Sequence, residues 1–115
     1  MSAQTFAARA YRASAAHRSL REQEADVFRH ALGALQAARS GGAMPQARAL
    51  ADNRRLWGTV IDLMRDPDNK LPAALRAQIV SLGLAVQRDM DGDAPDWNFL
   101  IQINEHMVAS LSGVN

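Results

Sequence analysis

The chain has 115 residues, a formal net charge of +1, 22 alanines, two tryptophans and no cysteine. That length suits one domain with a modest core. The missing cysteines exclude a disulfide framework, a thiolate nucleophile and cysteine-ligated zinc, and fit a reducing compartment. No apolar run approaches the roughly 18 residues a membrane span needs, and the N-terminus lacks an apolar signal core.

Alanine, Leu, Arg, Gln and Glu dominate the sequence. Their side chains lose little rotamer freedom in a helix. Alternating β-branched runs are absent, so the expected fold is all-α, a single-domain bundle of four to five helices over residues 1–115. Charge is uneven: residues 1–48 carry seven Arg against three acids, and residues 49–115 carry six Lys and Arg against nine acids. Arg9, Arg12, Arg18 and Arg21 precede the first acid. Such a segment reads first as a solvated basic helix face, then as a surface for an acidic partner such as RNA phosphates, and last as a transit peptide.

Residues 3–17 read as a first helix with Phe6, Ala10 and Ala13 on one stripe and Tyr11 beside it. The stripe is thin in large side chains and therefore docks weakly. Ser19-Leu20-Arg21-Glu22 has the form of a capping box, in which the Ser and Glu side chains each satisfy the other residue's backbone N–H. A second helix follows to about Arg39, with Val27, Phe28, Ala31, Leu32, Leu35 and Ala38 at apolar positions, and Ser40-Gly41-Gly42 stops it.

Pro45 suits the first turn of a third helix, expected to run to Arg65. Leu50, Trp57, Ile61 and Met64 mark one face, and Leu56, Val60 and Leu63 an adjoining one. That stripe is wider than one docking seam needs, so the helix is either central or leaves a face for a partner. Asp66-Pro67-Asp68-Asn69 forms a turn, with Asn69 the candidate cap for a fourth helix that has Pro72 in its first turn. There Leu75, Ile79, Leu82, Val86 and Met90 form a seam, and Gly83 points to a close helix crossing. After a loop at residues 91–95, Asp96 is the expected N-cap of a last helix. Trp97, Leu100, Ile101, Asn104, Met107, Val108 and Leu111 line it, and Gly113 ends it. Asn104 is the polar member of that stripe, and its amide requires a partner, such as a loop carbonyl, unless it sits at the stripe's edge.

No constellation carries chemistry. His17, His30 and His106 form no i, i+4 pair of the kind a helical metal site uses. Asp89, Asp91 and Asp93 begin like a calcium loop, but Ala94 stands where Gly is needed and Leu100 where the bidentate Glu belongs. The glycines make no phosphate cradle and the serines have no identifiable base. The sequence thus points to no enzyme, no cofactor, no metal and no membrane. Apolar helix surface remains, and helix-in-groove binding is the function it fits.

One set of pieces in order is more specific: the Ala-rich start with Tyr11, Arg21-Glu22 with Glu24-Ala25, Asn53-Arg54-Arg55-Leu56-Trp57, Asn69-Lys70-Leu71-Pro72, Leu75-Arg76, and Leu100-Ile101 with Asn104 and Leu111. In these the chain resembles the flagellar protein FlaF family of alphaproteobacteria over most of its length. Ser19-Leu20 stand where that family's pattern has a proline before the Arg-Glu pair. The resemblance implies a cytoplasmic, flagellin-dedicated secretion chaperone that acts with the regulator FlbT in coupling flagellin synthesis to export. Direct nucleic-acid binding is not expected of it. An RNA-binding regulator using the basic N-terminal segment is the alternative. Under the chaperone reading the expected contact residues are Leu56, Trp57, Val60, Leu71 and Leu75, joined by Phe6 and Tyr11 if the first helix swings out.

Overall fold

The structure, a computed structural model, describes residues 23–112. They form four α-helices and no strand: α1 over residues 23–38, α2 Ala43–Arg65, α3 Ala73–Met90 and α4 Trp97–Leu111. The expected all-α class is what the chain adopts. The helix expected over residues 3–17, the capping box Ser19–Glu22, His17 and the Gly113 stop lie outside the described residues.

Each helix end has a local cause. Gly42 adopts φ 93°, a left-handed conformation that a side chain would strain, and α2 starts at the next residue, placing Pro45 in its first turn. The Gln46 side chain donates to the Arg39 carbonyl at 2.9 Å and so serves the end of α1. Asp66 ends α2 in extended geometry, as the residue before Pro67 must. Asn69 has a different role from the cap expected of it, since Pro72 occupies the N-cap position of α3. Its amide N–H donates to the Leu63 carbonyl at 2.8 Å and its Oδ1 accepts from the Leu71 N–H at 2.9 Å. Asn69 therefore clasps the turn, adding a second donor to a carbonyl that the Asp66 N–H reaches at 3.3 Å. Arg76 completes the clasp by donating to the Leu71 carbonyl at 3.1 Å and the Met64 carbonyl at 3.4 Å. Its positive charge suits the negative end of α2. Asp96 is the N-cap of α4, accepting from the Phe99 N–H at 3.1 Å.

The short connection between α2 and α3 makes those two helices a closely packed antiparallel pair. Phe28 of α1 meets Trp57 of α2 edge to face, with ring centroids 5.6 Å apart and planes at 76°. Arg29 of α1 reaches the Ser112 hydroxyl just past α4 at 2.7 Å. Trp57, Leu35, Leu100 and Val86 are the largest fully buried apolar side chains, and they come from all four helices.

The close crossing inferred at Gly83 is present. A Cβ there would lie 2.7 Å from Ile61 Cγ1 and 3.3 Å from Trp57 Cε3. Two other expectations need correction. Val27 was assigned to the apolar face of its helix but is 53% exposed, because it lies at the edge of the α1–α2 contact instead of under it. The α3 seam is buried only in its second half: Val86 and Met90 are buried, Ile79 and Leu82 are partly covered, and Leu75 is exposed.

Two glycines on this hairpin should respond to substitution in opposite directions. Gly83→Val should lower stability by about 2 kcal/mol, because its extra atoms meet Ile61 and Trp57. Gly58→Ala should raise it by up to about 1 kcal/mol, since a Cβ there meets only Gln87 Nε2 at 3.8 Å. Urea unfolding of both variants beside the parent measures the two signs.

Candidate functional site

The contact residues expected from the sequence divide into three groups. Trp57 and Val60 are core: Trp57 has no exposed surface and Val60 is buried beside it. The wide apolar stripe on α2 is accounted for there by centrality, because α1, α3 and α4 all reach Trp57. Leu56 is half-buried and lines a hollow between α1 and α2. Leu71 and Leu75 are accessible, each 41% exposed, at the turn end of the α2–α3 hairpin. Phe6 and Tyr11 lie outside the described residues.

Trp57 is fixed by a buried polar chain. Its indole N–H donates to Asn104 Oδ1 at 3.0 Å. The Asn104 amide N–H donates to Asn53 Oδ1 at 2.8 Å, and the Asn53 amide N–H meets the Met90 sulfur at 3.4 Å. Both asparagines are essentially without exposed surface. The partner that Asn104 requires is thus another pair of side chains and not the loop carbonyl or stripe edge the sequence suggested. The motif beginning at Asn53 carries no core role for that residue in the sequence, although its spacing of four from Trp57 puts it on the same face of α2. Among the described residues no buried side-chain nitrogen or oxygen is left without a hydrogen-bond partner.

Polar residues of the α3–α4 loop are engaged in the same way. Asp89 Oδ2 accepts from the Asp96 N–H at 2.9 Å. Asp91 pairs with Arg54 at 2.9 Å, and Arg54 also donates to the Met90 carbonyl at 3.3 Å, at the negative end of α3. Two of the three side chains that begin like a calcium loop, Asp89 and Asp91, therefore hold the loop. Among the described residues no group of three or more His, Asp or Glu could hold a metal ion, and no helix is long and apolar enough to cross a membrane.

Of the six exposed large apolar side chains among the described residues, Leu84 of α3 stands apart and the other five fall in two places. At the hairpin's turn end, Leu63 is 51% exposed and joins Leu71 and Leu75. Leu63 was absent from the expected contacts; an antiparallel hairpin through residues 66–72 would have placed it beside them. Between α1 and α2, two shallow hollows of about 310 and 320 Å³ share His30 and Asp52. Val27 borders one, and Met44, 74% exposed, borders the other.

Fold and surface together define a small all-helical protein whose buried polar side chains join its helices and whose exposed large apolar side chains are concentrated, among the described residues, at a hairpin end and a groove. The family described as flagellar protein FlaF matches residues 7–111, nearly the whole chain. The chain belongs to the FlaF family of flagellar proteins. Searches among curated proteins and among solved structures return no match.

The polar chain sets the expected cost of its removal. Asn104→Ala strands the Trp57 N–H and the Asn53 carbonyl and leaves a cavity, so it should cost about 3–5 kcal/mol. Leu75→Ala, at an exposed position, should cost less than about 1 kcal/mol. Denaturant unfolding of the two variants tests that ordering, and near-equal losses would contradict it.

Proposed function

We propose that this protein is a flagellin-binding secretion chaperone that acts with FlbT in coupling flagellin synthesis to export. Membership of the flagellar FlaF family supports the flagellar setting. The exposed trio Leu63, Leu71 and Leu75 is the observation that carries a binding role, because it is apolar surface that none of the fold's interior contacts requires. A segment of flagellin that would otherwise self-assemble presents an apolar helix stripe. Covering that stripe with the leucine end keeps the cargo monomeric.

The family's implied contacts are narrowed accordingly. Leu71 and Leu75 are retained, Leu63 is added, and Leu56 contributes from the α1–α2 side. Trp57 and Val60 act from within by holding α2 in place. Binding by this surface is driven by apolar burial and should depend weakly on salt, whereas RNA binding would weaken steeply as salt rises. Residues 23–112 carry nine Lys and Arg against eleven Asp and Glu, so the described body offers phosphates no net positive charge.

Purified protein should bind flagellin at low micromolar concentration by titration calorimetry, with affinity changing less than about threefold between 50 and 300 mM salt. Leu63→Glu combined with Leu75→Glu should weaken binding at least tenfold while leaving the melting temperature within a few degrees, since both sites are exposed. Absence of any flagellin association at that concentration would overturn the chaperone reading. Loss of binding on Leu56→Ala but not on the leucine-end variants would move the surface to the groove.

A further inference from the structure

The buried residues of the α2–α3 hairpin stop well short of its turn. On α2 they are Ala49, Asn53, Trp57, Val60 and Ile61, and on α3 they are Gly83, Val86 and Met90. Every residue from 62 to 82 is exposed or half-buried. That stretch takes in the last turn of α2, the connection and the first ten residues of α3. Leu63, Leu71 and Leu75 all lie within it.

The tip is held by its own polar side chains. Among the described residues, the side-chain hydrogen bonds made by residues 62–82 all end inside that stretch. Asp66 Oδ1 accepts from the Asp68 N–H at 2.9 Å, Asn69 joins Leu63 to Leu71, and Arg76 joins Leu71 to Met64. Anchorage to the core is apolar and partial, through Met64, Ile79 and Leu82. Ten helical residues are fewer than the roughly 12–15 that a lone helix needs to persist in water. Core cover begins at Gly83, and a glycine weakens the helix at that border. Segments with few buried apolar contacts open at a lower free energy than the core beside them.

We propose that residues 62–82 form a separate opening unit: the hairpin tip comes apart while the Trp57 core stays folded, and Asn69 and Arg76 are the latch that closes it. Opening moves Leu71 and Leu75 away from Leu63, so that apolar surface is assembled only while the latch is shut. A partner that bridges the three leucines binds the closed tip and holds it closed. The opening rests on the fold alone and is measured without flagellin, so it stands or falls apart from the chaperone reading.

Amide hydrogen exchange of the full chain, followed residue by residue under native conditions, tests the proposal. After correction for intrinsic rates, amides 77–82 should exchange about a hundredfold faster than amides 56–60 in the parent. Val86 has no exposed surface. Val86→Ala destabilises the closed and the open-tip states alike, so it should speed amides 56–60 about tenfold or more and leave amides 77–82 within about threefold. Asn69→Ala and Arg76→Gln loosen only the closed state, and each should speed amides 77–82 by about fivefold or more. Melting curves check that each variant is folded. Equal protection of tip and core in the parent, or an equal response of both to Val86→Ala, would overturn the separate unit. Unchanged exchange of amides 77–82 in both latch variants would overturn the latch.

Discussion

The interaction on which the rest of the fold depends is the hydrogen bond from the Trp57 indole to Asn104. An indole N–H donates and cannot accept, so once Trp57 is fully buried it demands an acceptor inside the core. Asn104 Oδ1 supplies it. That choice fixes the direction of everything after it. The Asn104 amide must point its N–H away, and Asn53 Oδ1 receives it. The Asn53 N–H is then turned toward the Met90 sulfur, a weak but adequate terminus. Three helices are joined in one register. Sliding α4 by a turn against α2 would leave two buried donors and two buried acceptors without partners, each costing about 1–3 kcal/mol.

The approach of α3 serves the same centre. Gly83 lets that helix come close enough for Ile61 and Trp57 to lie against its backbone. Charged residues then pin the ends of the hairpin and leave its middle apolar. Arg54 holds the last turn of α3 through the Met90 carbonyl and Asp91, and Gln87 returns a bond to the Arg54 carbonyl at 2.9 Å. Asn69 and Arg76 hold the last turn of α2. Asn53, Arg54, Trp57, Asn69, Arg76 and Asn104 are also residues that carry the resemblance to FlaF. In this structure each of them holds a helix or a turn, so the motif reads as the signature of a scaffold.

That outcome explains how much the sequence could say. Helices were legible because their stops are local: Gly41-Gly42, Asp66-Pro67 and the Asp96 cap act within a few residues of themselves. Gly83 was legible for a similar reason, since a glycine inside an apolar helix has few other uses. The face of Trp57 was not. An apolar stripe as wide as that on α2 is compatible with a central helix or with a half-covered one, and only the positions of α1, α3 and α4 decide between them. Asn69 misled because the same side chain can cap the next helix or clasp the previous one, and Pro72 had already taken the cap. Asn53 is visible in the sequence only as part of a motif, because a lone polar residue on a buried stripe acquires a structural role only when its partner, 51 residues away, is known.

The separation of scaffold from surface bears on how strongly a partner can be held at the hairpin end. Full burial of a leucine is worth about 1.5–3 kcal/mol. Leu63, Leu71 and Leu75 are already about half covered, so closing over all three yields only about 2–4 kcal/mol before the costs of association. Micromolar binding needs about 8 kcal/mol net. The leucine end alone therefore falls short, and a partner held at micromolar strength must add contacts along the flanks of the hairpin. The same shortfall keeps such a complex reversible: no single anchor dominates, and withdrawing the partner from one flank removes a large part of the binding energy. A shallow surface of this kind suits the proposed chaperone role, and it is carried on a core, held by Trp57 and the two asparagines, that does not include the surface leucines.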